Sequence, residues 1–256
     1  MMAEATLDSA VALERARRIE EAALRAWPAH VDSDFDGWRL RFADGYTRRA
    51  NSVTPLGPSR LSLDDKIATC ERLYAERGLP TIFRLTPFAA PELDEALDKR
   101  GYRRTDETEV RARRMDLKVP APAARGIARI HNVDRWLDIF GALSGAPARN
   151  RAAHRAVLNA VPGTQRLLVL WVDGVPVACG MSVYADGLLG LFDLVTAAEH
   201  RKRGFGSEIL RRSLLWGART GVTEAYLQVL GSNATARHIY DRAGFELVYR
   251  YHYREK

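Results

Sequence analysis

Slid against itself by 143 positions without a gap, the chain pairs AERGLPTIFRLTPFAAPELDEALDKRGYRRT with ARTGVTEAYLQVLGSNATARHIYDRAGFELV. Gly78 falls on Gly221, Phe83 on Tyr226, Asp98 on Asp241, Gly101 on Gly244 and Tyr102 on Phe245. The preceding helical runs, DDKIATCERLYAERG and SEILRRSLLWGARTG, superimpose as well. A helix closed by glycine ahead of an aromatic strand residue also arises from ordinary C-cap chemistry. The gapless agreement over several elements is what points to an internal duplication. At 256 residues the chain also exceeds the usual size of a single core, so two units are expected. The Pro- and Ala-rich run VPAPAARG, Val119 to Gly126, divides them: residues 1–118, a linker at 119–126, and residues 127–256.

Composition closes off several classes. No apolar run approaches the ~20 residues needed to cross a bilayer. The arginines of LERARRIEEAALRAW are interrupted by Glu14, Glu20 and Glu21, and Ala12, Ala16, Ile19, Ala23 and Trp27 recur at helical spacing. That segment therefore reads as a helix of the fold, capped by Asp8 or Ser9, and not as a targeting peptide. Cys70 and Cys179 are far apart and lack metal-type spacing, which fits a reducing cytoplasm and no metal site. The formal charge of +7 suggests an anionic partner. The arginines are scattered in pairs with no nucleic-acid module beside them, so nucleic acid is not the expected partner.

After the linker, NVDRWLDIFGAL and RNRAAHRAVLNAV read as helices. RLLVLWV, VPVACGMSVYA and LLGLFDLV read as strands, followed by helix, strand, helix and strand. This order describes α/β architecture with a mixed sheet; strand–helix alternation begins too late for a Rossmann fold.

The third of those strands leads into RKRGFG, residues 201–206, where a helix begins with Ile209, Leu210, Ser213, Leu214 and Gly217 on its inner face. The first amides of a helix lack internal partners and sit beside a partial positive charge, so an anion is stabilised there. Gly204 and Gly206 would let a ligand approach the backbone without a β-carbon in the way. Arg201, Lys202 and Arg203 add positive field, and Ser207 a hydroxyl. A solvated basic turn would look similar.

RKRGFG resembles the Arg/Gln-x-x-Gly-x-Gly/Ala signature of the GNAT superfamily of N-acetyltransferases. NATARHIYDRAGF, Asn233 to Phe245, is similar to that superfamily's Asn-x-x-Ala-x-x-x-Tyr-x-x-x-Gly-Phe segment. The two motifs occur in the right order, and the resemblance covers residues 126 to 256; with the duplication, two tandem GNAT-like domains are expected. It implies acetyl-CoA as donor and direct transfer of the acetyl group to an amine in a ternary complex. It implies that the backbone at Leu194, Val195 and Thr196 holds the pantetheine arm and that the loop Arg201, Lys202, Arg203, Gly204, Phe205, Gly206, Ser207 holds the diphosphate. Asn233 would bind the pantetheine or a neighbouring water, and Tyr240 would face the sulfur. Ala197 stands where the family often has proline, which leaves the local turn open.

On its own chemistry a tyrosine hydroxyl can protonate an expelled thiolate, so Tyr240 is the expected acid. A base must deprotonate the amine, and Asp193 is the leading candidate, although a charge on the exposed side of an edge strand gives the same pattern. Glu224, His154 and His238 are weaker candidates, His238 being expected on the solvent side of its helix with Arg237. The first half has Leu97 in place of Tyr240, Ala90 in place of Asn233, and Pro58, Leu61 and Leu63 in place of Arg201, Gly204 and Gly206. It is expected to bind no cofactor. DGWRLRFADGYTRRANSV, Asp36 to Val53, reads as two strands around Asp44-Gly45, from which Trp38, Arg48, Arg49 and Asn51 could reach an acceptor carboxylate, although a solvated hairpin is the simpler reading of the same pattern. The expected protein is a cytoplasmic N-acetyltransferase, monomer or homodimer, acting on an amino acid or other small metabolite. A protein-amine acetyltransferase and a non-catalytic acyl-CoA sensor are the alternatives.

Overall fold

The computed structural model describes residues 9–115 and 126–256. Apart from Gly126, the expected linker lies outside them.

Helix α1 (Ala10–Ala26) opens with the Ser9 side chain accepting a hydrogen bond from the Ala12 amide at 3.1 Å, one of the two caps its sequence offers. Strands β1 (Val31–Phe35) and β2 (Trp38–Phe42) follow, turning through Asp36 and Gly37, both at positive φ. Asp44 and Gly45 also turn with positive φ, but the chain does not return there as a strand. A 3₁₀ turn at Arg48–Ala50 intervenes before β3 (Val53–Pro55), so the expected hairpin is replaced by a loop, and β2 pairs with β3 across it. The cause is Asn51: its Oδ1 accepts from the amides of Ala43 and Gly45 and its Nδ2 donates to the carbonyls of Tyr46 and Thr47. The loop's backbone is thus satisfied without a ladder.

Then come α2 (Leu63–Ala75), β4 (Ile82–Leu85), α3 (Pro91–Lys99) and β5 (Arg103–Arg114). The second half adds β6 (Ile127–Ile130), α4 (Val133–Ser144), α5 (Arg151–Ala160), β7 (Thr164–Val172), β8 (Val175–Ala185) and β9 (Leu188–Thr196). It ends with α6 (Phe205–Arg219), β10 (Glu224–Leu230), α7 (Ala234–Arg242) and β11 (Glu246–Glu255). All these strands form one mixed sheet of 11, in the order β1-β2-β3-β4-β11-β5-β10-β9-β8-β7-β6.

The middle of that order is an exchange. Under the 143-residue offset β4 corresponds to β10 and β5 to β11, yet β11 lies beside β4, and β5 beside β10. Each half's last strand completes the other's sheet. Arg254 on β11 donates to Asp98 at 2.6 Å and to the Tyr102 carbonyl at 2.8 Å, at the C-terminal end of α3. Arg111 on β5 does the same at the end of α7, to Asp241 and, at 3.0 Å, to the Phe245 carbonyl. All three positions of one set are offset from the other by the same interval, and a cation at a helix C-terminus is favourably placed. Helix α1 also crosses over. Its buried Ala16, Ile19 and Ala23 pack in one core with Trp136, Val157 and Met181 of the second half. Trp38 is buried with Phe83 and Leu97 under α2 and α3, so it cannot reach an acceptor.

Candidate active site

Strands β9 and β10 are parallel and paired only from Leu188–Leu191 to Glu224–Leu227; beyond those residues they diverge. The divergence follows from a bulge. Across β8 the register passes from Met181↔Phe192 to Cys179↔Val195, so Asp193 and Leu194 together oppose Gly180, and Asp193 adopts φ 51°. A bulge bends its strand and increases the local twist. Only glycine fits opposite it: a Cβ on Gly180 would lie 2.7 Å from Ile209 Cγ2. Since β9 is an interior strand, Asp193 is not an edge charge.

Past Thr196 the chain makes a short 3₁₀ turn, with the Ala197 amide donating to the Val177 carbonyl at 3.0 Å. A proline at 197 could not make that bond. Arg201, Lys202 and Arg203 are exposed, Gly204 caps α6 at φ 83°, and no side chain caps the helix. The amides of Phe205, Gly206 and Ser207 have no partner among the described residues; the first bonded amide is that of Glu208, to the Gly204 carbonyl. A Cβ on Gly206 would stand 3.2 Å from Thr196 Oγ1, so the absence of a side chain lets helix and strand end meet. This N-terminus therefore leaves three amide donors open beside the end of β9, an arrangement that favours an anion.

The corresponding place in the first half is filled by the chain itself. Asp36 accepts from the amides of Arg60 and Leu61 at 3.0–3.1 Å, and these bonds, with Lys66, hold its carboxyl below the ordinary value. Ser62 caps α2, whose first turn carries Asp64 and Asp65. Leu97 is fully buried where the second half has Tyr240.

A cavity of about 340 Å³ occupies the wedge. Its second-half walls are Leu191 to Leu194 of β9, Gln228 to Leu230 of β10, and Asn233, Ala236 and Tyr240. Asn233 is the N-cap of α7, its Oδ1 accepting from the Ala236 amide at 3.1 Å, which leaves the Nδ2 donors for a ligand. Tyr240 packs edge-on against Phe245, and burial pushes its hydroxyl up to about 12. Asp193 Oδ2 lies 3.0 Å from His154 Nε2. With the carboxylate ionised, His154 is the donor. His154 is almost fully enclosed by Trp27, Tyr46, Trp136 and Phe140, with centroids 5.1–6.2 Å away, while Asp193 retains some exposure toward the cavity.

The remaining wall comes from the first half: Trp27 at the end of α1, and Tyr46, Thr47 and Arg49 from the loop that Asn51 organises. Arg41, wholly buried, fixes both pieces by donating to the carbonyls of Leu24, Trp27 and Arg49 at 2.6–2.9 Å. Thr47 has φ 59°, an outlier for a β-branched residue, and its hydroxyl accepts from Trp27 Nε1 at 3.1 Å. Burial and the Asp193 charge push the Tyr46 hydroxyl up.

Other expected candidates fall elsewhere. Glu224 is buried at the far end of β10, bound by Arg15, and cannot serve as base. Arg48 is paired with Asp106 and Glu255, and Asn51 is committed to the backbone. His238 is exposed as expected; Arg237 is not, since it turns inward to Glu109 and the Gly231 carbonyl. Sequence reasoning missed Tyr46, Thr47 and Gln228, and saw Trp27 only as the end of a helical stripe; nothing local marks them. Among the described residues no cluster of metal-ligating side chains occurs, and no helix is long and apolar enough to cross a membrane.

The family described as "Probable histone acetyltransferase Rv0428c C-terminal" matches residues 14–254. The chain is 27% identical to the uncharacterized N-acetyltransferase YobR of Bacillus subtilis, over 94% of this chain and 98% of that protein. It is 28% identical to the probable histone acetyltransferase Rv0428c of Mycobacterium tuberculosis, over 87% of this chain and 68% of that one. A GCN5-related N-acetyltransferase from Kribbella flavida has the same fold, with TM-score 0.71, 19% identity, and 94% and 95% of the two chains covered. The bulged wedge, the uncapped helix beside it and a family match spanning nearly the whole chain lead to one assignment: the chain belongs to the Rv0428c C-terminal family of the GNAT superfamily, and is an N-acetyltransferase of that type.

Proposed function

We propose that the protein moves an acetyl group from acetyl-CoA to the primary amine of an amino acid or other small metabolite, by direct transfer at the β9–β10 wedge. The observation that carries this reading is the uncapped start of α6 beside an open wedge lined by Asp193 and Tyr240. The residues present fit the donor. The amides of Phe205, Gly206 and Ser207, with Arg201, Lys202 and Arg203 around them, would hold the diphosphate. The backbone at Leu194, Val195 and Thr196, left without a β10 partner by the bulge, would hold the pantetheine arm, with Asn233 Nδ2 opposite. When bound, acetyl-CoA supplies an activated acyl group and a thiolate leaving group.

The chain's own groups manage the protons. Asp193 takes the proton of the incoming ammonium, directly or through a water, and His154 holds its carboxylate in place. Tyr240, kept protonated by burial, donates to the departing sulfur. The first half closes the acceptor side without binding a donor, because Asp36 and Leu97 fill the places a cofactor would need. We read the chain as tandem GNAT-like units whose second unit is active, and as cytoplasmic, without metal, monomeric or dimeric. The family and the relative that carry the description probable histone acetyltransferase raise a protein amine as the other acceptor. The roof of Trp27, Tyr46 and Arg49 over the cavity favours a small one. A screen of amines and lysine peptides for acetyl-CoA-dependent thiol release decides between them. Calorimetric binding of acetyl-CoA without release for any amine would leave only a sensor.

A further inference from the structure

The cavity is lined by groups of opposite character. One is the Asp193 carboxylate, bonded through Oδ2 to His154. The others are two donors without an acceptor. Arg49 makes no ion pair among the described residues; its guanidinium stands 5.6 Å from the Trp27 ring centroid and 5.8 Å from that of Phe192, and its Nε is buried without a partner. Gln228 accepts a hydrogen bond from the Tyr251 hydroxyl on its Oε1 at 2.8 Å, which fixes the carboxamide and leaves Nε2 buried and unpartnered. Both residues line the 340 Å³ cavity and also an adjoining one of about 240 Å³, so they stand where the two spaces meet. A buried donor without an acceptor is destabilising, and more so when charged. The loop carrying Arg49 is nonetheless held there by Arg41, Asn51 and the Trp27–Thr47 bond. Such a pair of donors calls for an anionic acceptor atom that arrives with the substrate.

We propose that Arg49 and Gln228 form a carboxylate-binding subsite, so that the acceptor is an amine bearing a carboxylate. This rests on the transferase reading above and specifies its substrate class. The amine lies toward Asp193 and the wedge. The carboxylate lies toward Arg49, whose planar guanidinium suits a carboxylate oxygen, with the Gln228 amide as second donor. Arg49 comes from the first half and Gln228 from the second, so the fusion of the two halves creates the acceptor specificity.

The test compares amino acids with their carboxamides, which keep the amine and remove the negative charge. Binding is read by calorimetry with saturating CoA, and turnover by thiol release from acetyl-CoA. The wild-type protein should bind and turn over the carboxylate member at least about tenfold better than the amide, a difference typical of one charge-assisted hydrogen bond. Arg49→Met should collapse that ratio toward one while acetyl-CoA affinity stays within about twofold; Gln228→Leu should reduce it by a smaller factor. Equal binding of acid and amide, a ratio unchanged in a folded Arg49→Met protein, or better turnover of internal-lysine peptides lacking a free carboxylate would overturn the subsite. Failure of the transferase reading looks different: no thiol release with any amine, while the acid–amide difference in binding and its loss in Arg49→Met persist.

Discussion

In the proposed transfer, Tyr240 and Asp193 would divide the proton steps through their surroundings. Burial that raises the Tyr240 hydroxyl to about 12 keeps the proton on it throughout the physiological range, so a profile of kcat from pH 7 to 10 should show no alkaline fall from this group. Tyr240→Phe should lower kcat by roughly 10²–10⁴-fold with little change in acetyl-CoA affinity, the usual effect of losing a positioned acid. Wild-type turnover in that variant, with chemistry rate-limiting, would reduce Tyr240 to a packing residue. At the loop, the two glycines are not equivalent. Gly204 sits at φ 83°, where a side chain strains the turn itself, so a substitution there mixes stability with binding. Gly206 has no such constraint and meets only Thr196 Oγ1, so Gly206→Ala is the cleaner probe. It should weaken acetyl-CoA binding by about tenfold in a protein that still unfolds cooperatively, as the added methyl presses on Thr196 Oγ1 and shifts the start of α6 against the end of β9.

Between elements, the Glu20–Arg84 pair ties α1 to β4, and the Tyr249 hydroxyl donates to the same carboxylate from β11. Burial pushes the Glu20 carboxyl up, but Arg84 and Tyr249 outweigh it, and the net displacement is downward from 4.5. A carboxyl depressed on folding contributes stability that is present above its unfolded value and lost as pH falls through the lower folded one. Glu20→Gln leaves Arg84 buried without its counter-charge and should cost about 3–5 kcal/mol near neutrality. Denaturant titrations should show the gap between variant and wild type narrowing below about pH 4, as protonation brings the wild type toward the same neutral state. A gap that widened as pH fell would mean the ion pair is not what that residue contributes.

For the molecule as a whole, the exchange of β5 and β11 makes the halves interdependent. Separately expressed residues 1–118 would expose the β4 edge that β11 covers, and residues 119–256 the β10 edge that β5 covers. Each fragment alone should be unfolded or self-associating by circular dichroism and size exclusion. Co-expressed, they should assemble into a one-to-one complex with acetyl-CoA affinity close to that of the intact chain. Two independently monomeric, cooperatively folded fragments would contradict the exchange.

What the residues alone determined is what depends on local chemistry. The cap of α1, narrowed to Asp8 or Ser9, the helix opening at Gly204 and the helix that follows Asn233 were legible, because capping, periodicity and glycine conformation act within a few positions. The mixed α/β sheet and the GNAT resemblance followed from them. Tertiary structure decided the rest. The halves share one sheet with crossed last strands, since β5 and β11 can each satisfy either neighbour's backbone, and only the packed structure selects the pairing. It brought His154 to Asp193 across 39 positions of sequence. It buried Glu224, a weaker candidate base, and it turned one of two adjacent arginines, Arg48, to a salt bridge and the other, Arg49, to the cavity. Sequence specifies a side chain's chemistry and its near neighbours along the chain. Which distant groups satisfy it, and which are left for a ligand, is settled only when the chain closes on itself.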